Sequence, residues 1–232
     1  MPKPTFAQQV IEFTIGLEPN WEVPKGIEVL YPYHYQPTLA TLRAFYAKYY
    51  NDHQERIAIF GINPGRFGAG ITGVPFSDPI RLEEQCGIAN SFDKRQELSS
   101  VFVYNFIEEY GGVKPFYDKY YITSLCPLGF TKDGKNYNYY DDRKLENAVL
   151  PHILENIRAQ FDIGVSNKAC ICMGQGKNYQ FFQKINEKYH FFEHILPVPH
   201  PRWVMQYRLK RKAEFLQLFL DTFGKAEELV GG

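Results

Sequence analysis

The chain has 232 residues, 44% of them hydrophobic and 16% aromatic, with 26 basic residues balanced by 26 acidic ones. That balance excludes a whole-protein basic field for nucleic acid, so any such binding must rely on a local patch. No run of roughly 18 apolar residues occurs to span a membrane, and Met1-Pro2-Lys3-Pro4-Thr5 lacks the apolar core of a secretory signal; residence in the cytoplasm is expected.

Thr5 is placed to cap a first helix carrying Phe6, Val10 and Ile11 and ending near Gly16. A Pro- and Tyr-rich link over 31–37 leads to a second helix at about 38–50. Arg56-Ile57-Ala58-Ile59-Phe60-Gly61-Ile62 is a short apolar run ending in glycine, the pattern of a strand buried on both faces of a parallel sheet. A Gly/Pro-punctuated loop fills 63–79, and helical patterns follow at about 79–86 and 95–110. The second strand is Lys119 to Leu125, and a polar loop over 129–140 separates it from a long helix at about 142–161. Ala169 to Met173 forms a third strand, a helix lies near 176–189, Glu193 to Pro197 is the fourth strand, and a last helix covers about 204–223. The tail beyond it reads as a frayed end.

Strands alternating with helices predict a three-layer α/β/α sandwich around a mainly parallel four-stranded sheet, in one domain over 1–232. Cys86, Cys126, Cys170 and Cys172 lack the paired spacing of a metal or iron–sulfur site. They are expected as buried free thiols, with no metal and no cofactor. Most of the 17 tyrosines and 19 phenylalanines must be core or half-buried surface.

Ligands of such sheets bind beyond the carboxyl ends of the strands. That rule gathers four segments on one rim: 61–65, 124–127, 173–175 and 197–202. The first continues as Gly61-Ile62-Asn63-Pro64-Gly65-Arg66-Phe67-Gly68-Ala69-Gly70. It lacks the Gly-Lys-Ser/Thr of a phosphate-binding Walker loop, and Pro64 breaks the helix entry that a dinucleotide fingerprint requires. A tight structural turn would be shorter, since strand-to-helix loops usually take about 2–6 residues. Length therefore argues for function.

On the fourth segment, His200 stands between Pro199 and Pro201, which restrict the backbone and fix the direction of the imidazole. Five basic residues and no acidic one then fall within 202–212. Trp203, Met205 and Tyr207 are interleaved with those cations, a composition suited to DNA backbone contact and base-step wedging. Arg202, Trp203, Arg208, Lys210 and Arg211 are the candidate DNA-binding residues.

Gly61-Ile62-Asn63-Pro64-Gly65, with Phe67-Gly68 and Thr72-Gly73-Val74-Pro75-Phe76, resembles the first motif of the single-strand-selective monofunctional uracil-DNA glycosylases. His200-Pro201 with Arg202 resembles their second motif, and Ser124-Leu125-Cys126-Pro127-Leu128 a block in which the family has Asn before Leu-Cys-Pro-Leu. The blocks keep the family's order over roughly 55–220. Two departures stand out: Ser124 replaces the asparagine that reads the uracil edge, and the second motif is His-Pro-Arg rather than His-Pro-Ser-Pro-Arg. They suggest a divergent bacterial branch with broader base choice.

The resemblance implies a monofunctional DNA glycosylase that hydrolyses the glycosidic bond of a base flipped from DNA, and a monomer is expected. Asn63 would orient the attacking water and His200 would donate a hydrogen bond to the departing base. Phe76 would stack on that base, Ser124 would contact its edge, and Gly61, Ile62, Pro64 and Gly65 would complete the base pocket. Uracil or a deaminated relative such as xanthine is the expected substrate. A non-catalytic nucleic-acid-binding module and a nucleoside-processing hydrolase remain the alternatives.

Overall fold

Thr5 opens the first helix of the structure, a computed structural model that describes residues 3–232. Its hydroxyl accepts the Gln8 N–H while the Gln8 amide accepts the Thr5 N–H, closing a capping box at the start of α1 (Phe6–Ile15). The chain continues through β1 (Ile27–Leu30), α2 (Gln36–Tyr49), β2 (Arg56–Gly61), α3 (Ala69–Thr72), α4 (Pro79–Glu84), α5 (Leu98–Tyr110) and α6 (Val113–Lys119). Then come β3 (Tyr120–Ser124), β4 (Gly129–Lys132), β5 (Lys135–Tyr137), α7 (Arg143–Ile163), β6 (Val165–Met173) and α8 (Lys177–Tyr189). β7 (His194–Val198), α9 (Pro201–Tyr207) and α10 (Lys212–Gly231) complete it.

The main sheet has the order β3-β2-β6-β7 with every neighbouring pair parallel, and helices cover both of its faces. This is the expected three-layer α/β/α sandwich. Every residue of β2 and β3 is buried, which is why both strands read as apolar runs rather than alternating ones. Parallel strands bring all their carboxyl ends to one edge, and the site is assembled there.

At the opposite end of β2 the Arg56 side chain is wholly buried. It donates to both Asp52 carboxylate oxygens (2.7 and 2.8 Å) and to the carbonyls of Gln54 and Tyr117. The rings of Phe6 and Tyr50 lie 4.9 and 4.8 Å from its guanidinium. A buried cation is tolerable only when its donors are used in this way. Much of the aromatic surplus packs nearby: Tyr46, Tyr50, Tyr104, Tyr117 and Tyr121 are buried, and burial drives their hydroxyl pKa values upward.

Four expectations require correction. Residues 129–140 are not a plain polar loop, because β4 and β5 form a hairpin that pairs with β1 in a second, antiparallel sheet of order β1-β4-β5. Asp133 and Gly134 turn it with positive φ values of 50° and 67°, the conformation for which an Asp-Gly pair is suited. β1 and α6 were not expected at all. The last helix is two helices, α9 and α10, separated by a 3-10 turn at Leu209–Arg211. Nor does the tail fray: α10 stays helical to Gly231, with Ala226 buried and Glu227 accepting hydrogen bonds from Tyr110, Tyr120 and Lys119.

Candidate active site

The pairing of β2 with β3 sets Gly61 opposite Ser124 and runs on past the strands, with Leu125 N–H donating to Gly61 O (3.0 Å) and Cys126 N–H to Ile62 O (3.1 Å). Lack of a side chain at Gly61 admits the Phe76 ring. A Cβ there would stand 2.9 Å from Phe76 Cε2 and 3.4 Å from Ser124 Oγ. Phe76 itself takes a positive φ of 52°, which is unusual for a bulky residue and must be held by its surroundings. Thr72 holds the adjoining loop, its hydroxyl within hydrogen-bond reach of the carbonyls of Gly68 (3.1 Å) and Ser77 (2.8 Å).

The β4–β5 hairpin supports the motif loop from the other side. Gly129 passes so close beneath Pro64 that a Cβ would meet the Pro64 carbonyl oxygen at 2.1 Å. Arg66 N–H donates to Asn136 Oδ1 (2.9 Å), and its guanidinium donates to Gly134 O. Gly129→Ala is therefore expected to destabilise the fold by about 1–3 kcal/mol through backbone displacement and to slow any chemistry that depends on Asn63. Denaturant melts paired with activity assays test this, and a variant with wild-type stability and rate would show that the hairpin does not brace the loop.

Asn63 is fixed at both ends of its amide. Nδ2 donates to the carbonyls of Tyr137 and Pro64, both at 3.3 Å, and Oδ1 accepts the Tyr139 N–H at 3.1 Å. One lone pair on Oδ1 remains unused. Ser124 is held through its backbone: buried Asn156 donates to Ser124 O (2.9 Å) and Leu125 O (3.0 Å), and Gln160 Nε2 donates in turn to Asn156 Oδ1. The Ser124 hydroxyl has no hydrogen-bond partner among the described residues, and Ser124 lines the cavity described below.

His200 is the N-cap of α9, its Nδ1 accepting the Arg202 N–H at 3.2 Å. An Nδ1 that accepts leaves the ring proton on Nε2 in the neutral form, so the free nitrogen is a donor. Burial of the ring, reinforced by the Arg202 cation, pushes its pKa down to about 4. Its ring centre lies 5.9 Å from that of Phe76.

These groups line one cavity of about 320 Å³. Ile62, Asn63, Pro64 and Gly65 contribute from the first motif, with Phe76, Ser124 and His200 alongside. Arg202 and Trp203 also line it, whereas Gly61 lies behind Phe76. Arg208, Lys210 and Arg211 lie outside the lining, as does the 173–175 segment. Arg208 sits over the Trp203 ring at 4.7 Å, and Arg211 is ion-paired with Glu214 at 2.7 Å. Trp203 and Tyr207 stand exposed at the rim, at 39% and 64% of full accessibility.

Sequence reasoning missed Asn136, Asn138 and Tyr140, which the hairpin and the turn after it bring to the cavity, and Glu97 and Ser99 at the start of α5. The Asp-Gly turn was the available signal for the hairpin. All four cysteines are buried and free, and burial raises the thiol pKa values, to about 11 for Cys86 and about 12 for Cys172, so none is poised as a nucleophile. Among the described residues, no three His, Cys, Asp or Glu side chains are grouped to hold a metal, and no helix is long and apolar enough to cross a membrane.

Residues 47–224 match the model of the uracil DNA glycosylase superfamily. A comparison with curated proteins finds no match. Among solved structures, the crystal structure of wild-type Pedobacter heparinus SMUG2 superimposes with a TM-score of 0.94 at 44% sequence identity, over 97% of this chain and 99% of that one. Sequence match and superposition both extend across the strands and loops that build the cavity, and the chain belongs to the uracil DNA glycosylase superfamily, as a SMUG-like member.

Proposed function

We propose that the protein is a monofunctional DNA glycosylase that releases uracil or a related deaminated base, leaving an abasic site. One observation carries this reading: a water-orienting amide, Asn63, and a neutral imidazole donor, His200, are each locked by backbone hydrogen bonds on one cavity that Phe76 also lines. A cavity of about 320 Å³ lies at the small end of ligand sites and suits a single base.

The target nucleotide leaves the helix or comes from a single strand, since its glycosidic bond is unreachable within a stacked duplex. Phe76 offers its ring to the flipped base, an interaction worth about 1–3 kcal/mol. As the C1′–N bond breaks, its electron pair moves onto the base, and the Nε2–H of His200 stabilises the charge that develops on a base carbonyl. Asn63 Oδ1 accepts a hydrogen bond from a water and aims the water oxygen at C1′. The new C–O bond forms there, the surplus proton passes to solvent, and the base anion is protonated from solvent. Among the described residues no lysine lines the cavity, so no lysine amine is in place there to displace the base and form a Schiff base.

Base choice centres on Ser124. A rotating hydroxyl both donates and accepts, whereas an amide presents donor and acceptor in a fixed fork. Because it can serve as either donor or acceptor, such a group suits the differing edges of uracil and xanthine. Oligonucleotides each bearing one deaminated base, assayed for abasic-site formation, test the proposal. Release of no base from any of them would refute glycosylase activity. In the same panel, Ser124→Asn is expected to shift the uracil-to-xanthine ratio toward uracil by about tenfold, the worth of one good hydrogen bond; an unchanged profile would remove Ser124 from base selection.

A further inference from the structure

Phe67 lines the cavity beside the motif loop, and two arginines from separate parts of the chain converge on its ring. The guanidinium of Arg66 lies 4.5 Å from the ring centre and that of Arg95, from the turn before α5, lies 4.9 Å away. Both residues are exposed. Arg66 is also tied to the hairpin through Gly134 O. Neither arginine forms an ion pair among the described residues. Among the described residues Glu97 is the one acidic residue on the cavity wall, and its carboxylate accepts the Ser100 N–H at the start of α5.

Two exposed guanidiniums held to one ring by cation–π contact, with no carboxylate paired to either among the described residues, concentrate positive charge that an anion would meet. Stacking on Phe67 preorganises both guanidinium forks, and donors remain free on each for a planar, bidentate partner. This is the reverse of Arg211, whose charge is met by Glu214.

We propose that Arg66, Phe67 and Arg95 form a backbone clamp for the strand that carries the target base, with the two guanidiniums binding phosphates next to the flipped nucleotide. The clamp is separate from the 202–211 segment, and it rests on the glycosylase reading above. It holds the strand on the side where the motif loop meets the cavity, so the nucleotide beside the lesion is fixed while the base turns inward.

The test is the salt dependence of binding to a single-stranded oligonucleotide carrying a central tetrahydrofuran abasic analogue, which has no base to release. Neutralising two phosphate contacts on a single strand changes the slope of log K against log salt by about 1.4. Arg66→Ala/Arg95→Ala is therefore expected to flatten the wild-type slope by that amount and to weaken binding about 25-fold at roughly 0.1 M salt, with the difference vanishing toward 1 M. Arg66→Lys/Arg95→Lys keeps the charges and should keep the slope. Arg158→Ala, which removes a guanidinium over the rings of Tyr189 and Phe191 away from the cavity, should leave it unchanged. A wild-type slope in the alanine pair, or the same loss of slope in the lysine pair, overturns the clamp alone. Absence of any salt-dependent binding by the unaltered protein overturns the clamp and the DNA reading together.

Discussion

Asn63→Ala is expected to slow base release by about 10²–10³-fold while binding of an abasic analogue changes little. The reason lies in how completely the amide is committed. Both N–H groups face backbone carbonyls, of Tyr137 and Pro64, and one lone pair of Oδ1 takes the Tyr139 N–H. The remaining lone pair can therefore point in only one direction, and a water held by it is aimed rather than merely bound. An amide is too weak a base to take the proton early, so the contribution proposed for it is orientation, and losing the aim of a nucleophile alone can cost about 10²-fold. Alanine also leaves the Tyr137 carbonyl and the Tyr139 N–H without a partner at the cavity edge, so a loss of about 1–2 kcal/mol in stability should accompany the kinetic defect. Asn63→Asp separates the two effects, because it restores an acceptor while removing the donors. It should recover much of the rate lost in Asn63→Ala. Single-turnover kinetics decide the matter: equal rates for the two variants would mean that the acceptor does not position the water, and a wild-type rate in Asn63→Ala would remove Asn63 from the chemistry.

What the chain order reveals about this site divides along a physical line. β2 and β3 were legible because a parallel strand covered on both faces must be apolar throughout, and 56–62 and 119–125 are largely so. The motif loop was legible because a glycine, an asparagine and a proline at the end of such a strand have few structural reasons to occur together. Its support was not. β5 has three residues, Lys135, Asn136 and Tyr137, two of them exposed, so no alternation exists to detect. The hairpin is held instead by the approach of Gly129 to Pro64 and by the bond from Arg66 N–H to Asn136, contacts between segments some 65–70 positions apart. The break between α9 and α10 is similarly silent, since residues 207–212 contain no Gly or Pro and the apolar pattern runs through it. At the end of α10, Glu227 meets Tyr120 of β3, and nothing in the local composition announces that partner. Local chemistry marks the groups that line the cavity. Distant backbone contacts fix their aim.

His200 extends that distinction to electrostatics. Prolines on both sides suggested a stiffly held imidazole, but not its protonation state. In the fold, Nδ1 accepts the Arg202 N–H and burial beside the Arg202 cation lowers the pKa to about 4. The ring is therefore neutral throughout the range, roughly pH 5 to 8, in which an ordinary histidine titrates. Base release should consequently show no inflection near the usual imidazole value of about 6.5 and should fall only as acidification approaches about 4. Stability follows the same sign: between the two values the unfolded chain binds more protons at this position than the folded one, so folding is weakened as pH drops through that window. His200→Asn keeps an acceptor for the helix cap, but its shorter side chain no longer brings an N–H to the position of Nε2. It should lower kcat by about 10²–10³-fold with little loss of stability, and it should abolish this residue's share of the acid sensitivity. His200→Ala loses the cap as well, at about 1 kcal/mol. A neutral donor is the better choice for this chemistry, since an imidazolium would already repel the positive charge that grows on the sugar. A rate profile with an inflection near 6.5, shifting with His200 variants, would mean that the ring is solvated and acts as a cation instead.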